Sequence, residues 1–77
     1  MGDRPTVLSA ADIELLEFAT AWAPYGGNDA EAFVRFGLGA DEFHRRLHRL
    51  LGSRAARTLT NTTVATLREQ CRNRLWR

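Results

Sequence analysis

Apolar residues recur at the helical period over most of this chain, and the stretches between them are punctuated by glycine, proline and capping side chains. Ser9 is a good N-cap, Asp12 stands three positions on as in a capping box, and Leu8 and Ile13 are spaced as a hydrophobic staple. A first helix is therefore predicted from about Ala10 to Ala23. Leu15, Leu16, Phe18, Ala19, Trp22 and Ala23 fall on one wide arc, while Glu14, Glu17 and Thr20 occupy the other side. Pro24 stops this helix because proline biases the preceding residue away from helical geometry, and Tyr25-Gly26-Gly27 makes the turn.

Asn28 offers a second N-cap with Glu31 at the third position, opening a short helix through about Phe36 whose apolar side is Ala32, Phe33 and Phe36. Gly37-Leu38-Gly39 breaks it, and a third helix begins near Ala40 or Asp41. Phe43, Leu47, Leu50 and Leu51 cluster on one arc of this helix, leaving Arg45, His48 and Arg49 centred on the opposite face with His44 at its flank. From Gly52 to Thr63 the pattern loses its period and holds four threonines, so it reads as a connection, with a short β-hairpin wing as the alternative. The last helix is expected from Thr62 or Thr63 to near Trp76, with Val64, Leu67, Cys71 and Leu75 on one stripe and Arg68, Arg72, Arg74 and Arg77 making it basic.

The expected fold is all-α: residues 1–7 a flexible end, 8–52 a three-helix core, and 53–77 a connection and basic C-terminal helix of the same domain. With 77 residues the chain buries a modest share of its surface and leaves little room for an active-site cleft. No apolar run approaches the roughly 20 residues of a membrane span, and the first residues lack a signal-peptide core, so a cytoplasmic setting is expected. A single cysteine, Cys71, excludes an internal disulfide, and its place on the apolar stripe reads as a small buried hydrophobe. His44 and His48 have the i, i+4 spacing of a helical metal pair, but no third ligand stands nearby; no cofactor is expected, and a solvated polar face is the plainer reading.

Charge changes the picture most. Residues 1–42 hold eight acids and two arginines, net −6, whereas residues 43–77 hold nine arginines and only Glu69, net +8. The overall +2 hides a strongly basic half, which points to a polyanionic partner. All eleven basic side chains are arginine, a bias that a GC-rich genome explains as well as phosphate binding does.

The segment from Asp29 to Leu47 resembles the helix-turn-helix pattern of bacterial DNA-binding proteins: Phe36-Gly37-Leu38-Gly39 fits the turn, and Phe43 and Leu47 fit the apolar offsets of the second helix. The stretch from Val34 to Leu47, with the Trp-Ala-Pro-Tyr-Gly-Gly run at 22–27, is similar to short, largely uncharacterised actinobacterial helix-turn-helix proteins over roughly residues 8–52. Phe33 departs from that pattern, standing where a small residue usually lets the helices approach and so implying a wider spacing. Gly39 replaces the usual Ser or Thr cap.

The resemblance implies a DNA-binding transcriptional regulator, and the charge pattern independently favours the same partner. A helix of this length fits the major groove, where arginine bonds both acceptors of guanine. Arg45, Arg49 and His48, flanked by His44, are the candidates for base edges; Arg46, Arg54, Arg57, Arg72 and Arg74 are those for phosphates. Against this, Asp41 and Glu42 lie at the N-terminal end of the helix, where they favour its dipole but repel phosphates. One unit covers little DNA, so a homodimer through helix 1 or the last helix is expected. The alternative is a protein-interaction module whose acidic helix 1 and basic last helix dock a partner such as a polymerase subunit or a cognate toxin, with Trp76 either anchoring a partner helix or capping the bundle. Enzyme readings find no G-x-S-x-G, no glycine-rich phosphate loop and no metal triad.

Overall fold

The computed structural model describes residues 9–76. It contains four α-helices, α1 (Ala10–Trp22), α2 (Asp29–Phe36), α3 (Ala40–Leu51) and α4 (Asn61–Leu75), with 3-10 turns at Ala23–Tyr25 and Arg54–Thr58. Among the described residues there is no strand, so the segment read as a connection or wing is a helical turn capped by Ser53, whose hydroxyl accepts from the Ala55 N–H at 3.2 Å. The flexible end assigned to 1–7 and the staple residue Leu8 lie outside the described residues.

The caps explain where the helices start. Ser9 Oγ accepts from the Asp12 N–H at 3.1 Å, Asn28 Oδ1 from Glu31 N–H at 3.0 Å, and Thr60 Oγ1 from Thr63 N–H at 3.1 Å. Each satisfies a donor that the first turn of a helix leaves without an internal partner. α4 therefore begins at Asn61, slightly ahead of its expected start, because Thr60 rather than Thr62 takes the capping position. α2 ends on Gly37 at φ 71°, where the N–H donates back to the Phe33 carbonyl at 2.8 Å. Open space surrounds a Cβ placed there, so the left-handed backbone alone makes glycine the fitting residue.

Phe18 of α1 is the hub of the core. Its ring meets Phe36 at 5.4 Å and Phe43 at 5.8 Å in edge-to-face geometry, tying α1 to both helices of the α2–α3 hairpin. Leu15, Leu16, Ala19, Leu47, Leu50 and Leu51 fill the layers around it, and α4 closes the structure against α3 with Leu67 and Cys71 fully buried. Of the expected apolar side of α2, Ala32 is fully buried and Phe36 packs against the core, but Phe33 is 59% exposed and is corrected to an outward position. Phe33 therefore does not stand between the packed helices.

Candidate nucleic-acid interface

α3 rests on the core through Phe43, Leu47, Leu50 and Leu51, and this orientation turns Arg45, Arg46, His48 and Arg49 outward. Four of the nine candidate side chains therefore share one exposed helix surface.

Their charges are not equally available. Glu42 Oε1 accepts from Arg45 at 3.1 Å and its Oε2 from Arg46 at 3.4 Å, so one carboxylate bridges two guanidinium groups a turn further on. Arg45 and Arg46 keep 57% and 47% of their side chains exposed, and ion pairs this open contribute little to stability. A phosphate oxygen can compete for either arginine. Exposed Asp41 nevertheless keeps the leading end of α3 acidic, as the sequence implied.

The other predicted residues separate into distinct environments. The side chains of Arg49, Arg54 and Arg57, carried by the last turn of α3 and the 3-10 turn that follows, have no hydrogen-bond, ion-pair or ring partner among the described residues. His48 packs edge-to-face on Trp76 at 5.0 Å, while Trp76 remains 60% exposed. Arg72 pairs with Glu69 at 3.0 Å, and Arg74 pairs with Asp29 at the start of α2. That last contact draws Arg74 towards the α2 end of the molecule.

His44 does not belong to the outward face. It is 6% exposed, and its Nδ1 lies 2.8 Å from the Ala40 carbonyl, the bond that lets a polar ring sit inside the helix packing. Its assignment to DNA contact is therefore corrected. The i, i+4 histidine pair does not converge either, since His44 turns inward and His48 turns to Trp76. Among the described residues, no three His, Cys, Asp or Glu side chains group as a metal site.

Arg68 is an α4 arginine that sequence reasoning left out of the site. Its Nη2 donates to the Leu51 carbonyl at 3.3 Å, placing a cation on the C-terminal end of α3, where the helix dipole favours positive charge. Arg68 and Arg74 leave α4 towards opposite ends of the α2–α3 hairpin. Charge content alone carries no sign of that division; it appears only when α4 is laid against α3.

Cys71 contributes to packing beneath this surface. Its thiol donates to the His44 carbonyl at 3.5 Å, and burial pushes its pKa from 9.0 up to about 11. The unfolded thiol ionises near 9 while the folded one holds its proton to about 11, so folding stability is intact below pH 9 and falls as pH rises through that window. Urea unfolding of the native chain is expected to show this loss, and Cys71→Ala to lack that part of it. Parallel pH profiles for the two chains would refute the assignment.

No helix among the described residues is long and apolar enough to cross a membrane. Comparison with family models, curated proteins and solved structures finds no match to this chain, which leaves the chemistry of its own surface to indicate a role.

Proposed function

We propose that this domain binds duplex DNA as a small helix-turn-helix regulator, with the outer face of α3 in the major groove. The observation that carries the reading is the row Arg45, Arg46, His48 and Arg49, exposed on the second helix of a hairpin whose turn is set by left-handed Gly37. Arg45 and Arg49 lie one helical turn apart and address base edges, with His48 beside them held by Trp76. Arg46, Arg54 and Arg72 take phosphates at the margins. The partnerless arginines follow the C-terminal half of α3, so the domain is expected to present that half more closely to the backbone than its acidic first turn.

A titration of duplex DNA against salt tests the reading. Each phosphate neutralised contributes about −0.9 to the slope of log affinity against log salt. Three to five arginine contacts, an order-of-magnitude count, predict a slope of roughly −3 to −5. Absence of binding at low salt, or a slope near zero, would remove DNA as the partner.

The second reading is a protein-docking module for a partner such as a polymerase subunit or toxin. It is favoured by a specific observation: Tyr25, Phe33, Val34 and Trp76 are 75%, 59%, 77% and 60% exposed. Large apolar side chains at this exposure mark contact surfaces when they are contiguous. Loss of DNA binding in the salt titration would transfer the argument to these residues.

A further inference from the structure

An apolar groove of about 570 Å³ runs between α1 and the 3-10 turn at Arg54–Thr58. Ile13, Leu16 and Ala21 form its α1 side with Glu17 and Thr20, and Ala55, Thr58 and Leu59 form the other. Ile13 is 45% exposed although it borders this space, so the same face carries an apolar projection beside an apolar recess. None of the arginines assigned to base edges lines it.

The segments that flank the groove differ in charge. Glu17 is the one charged residue in its lining and belongs to a helix with no basic residue, whereas exposed Arg54 and Arg57 stand outside the lining on the opposing turn, which carries no acid. We infer that the groove is the contact surface for a second copy of this chain, related by a two-fold axis that runs along the groove. Such an axis lays the α1 wall of each copy on the Arg54–Thr58 wall of the other. Ile13 then covers the apolar recess of its partner, and Glu17 of each copy meets Arg57 of the other at both ends of the relation. An isologous contact of this kind closes at two copies, because both complementary surfaces are consumed.

A different partner protein has no comparable support, since this chain supplies both the projection and the recess and both charge signs. The inference deepens the DNA reading, because two recognition helices on one two-fold axis would read two half-sites. It takes Arg57 away from phosphate and assigns it to the contact between copies. The association itself is formed without DNA and can be measured without it.

Sedimentation equilibrium of the full chain in moderate salt is expected to show a monomer–dimer equilibrium with no larger species. Ile13→Asp is expected to weaken it by about tenfold or more, since a charge replaces an apolar anchor in a desolvated contact. Glu17→Arg and Arg57→Glu are each expected to weaken self-association, and mixing the two variants to restore a heterodimer, because the mixture recovers opposite charges on both walls. Helical circular dichroism checks that every variant folds. A chain that stays monomeric at millimolar concentration, a dimer indifferent to Ile13→Asp, or a mixture that fails to restore association would each overturn the inference. A monomer that still binds DNA with a steep salt slope would leave the DNA reading standing; a dimer with no DNA affinity would do the reverse.

Discussion

Replacing Arg45 and Arg49 together with alanine is expected to weaken binding to a duplex selected by this chain by at least about 30-fold. Each bidentate arginine–guanine pair is worth about 1–3 kcal/mol of discrimination, so two lost pairs come to about that factor at the lower limit. Both side chains point outward from a helix held by Phe43, Leu47, Leu50 and Leu51, so the helical signal should not change. Glu42→Gln supplies the opposite sign. It releases Arg45 and Arg46 from a shared carboxylate and removes one repulsive charge near phosphate, so affinity at low salt should rise by about threefold to tenfold. Fluorescence anisotropy at fixed ionic strength measures both. Unchanged affinity in the double variant would mean that the outer face of α3 is not the surface that meets DNA.

From sequence, Glu42 is placed in the acidic first turn of α3 but paired with neither arginine, although the spacing carries that signal. Glu42 precedes Arg45 and Arg46 by three and four residues, the separations at which side chains on one helix meet, and the acidic first turn of α3 was evident before any coordinate. Helix limits were readable for the same local reason: Ser9, Asn28, Pro24 and Gly37 act through backbone groups within a few residues. Where several equivalent signals crowd together, the reading blurred. Thr58, Thr60, Thr62 and Thr63 all offer a capping hydroxyl, and it is Thr60 whose side chain accepts from the Thr63 N–H.

The residues that sequence misplaced share a physical cause. α2 has only two turns, too few for the period to distinguish Ala32 from Phe33 as the inward residue. His44 lies at the border of the α3 apolar arc, where a hydrogen bond to the Ala40 backbone tips a polar ring inside. The 3-10 turn buries Ala55 without an α-helical repeat, because its geometry is neither 3.6 nor 2 residues per period. Arg74 with Asp29 and His48 with Trp76 join residues far apart in the chain, and no local pattern announces such pairs. Where Arg74 lies is set by such a long-range contact and not by the number of arginines.

Leu67→Ala is expected to produce the largest loss of stability. Leu67 has no exposed surface and lies on the α4 stripe that closes against α3, the most extensive helix pairing in the domain. Leucine-to-alanine changes at such sites cost about 2–5 kcal/mol through lost transfer energy and the cavity left behind. A domain of this length is held by only about 4–11 kcal/mol at the usual stability per residue. A loss of 3 kcal/mol would lower Tm by about 12–24 °C, readable by thermal circular dichroism. Val34→Ala, at a position 77% exposed, serves as the contrast and should leave Tm nearly unchanged. A Leu67 effect below about 1 kcal/mol would mean that α4 is not a structural wall of the core. Because Arg68 stands beside Leu67 and reaches the last carbonyl of α3, loosening this wall should also free the C-terminal half of α3. Titrating Leu67→Ala with duplex DNA below its own Tm would then show weaker binding although every outward arginine is still present.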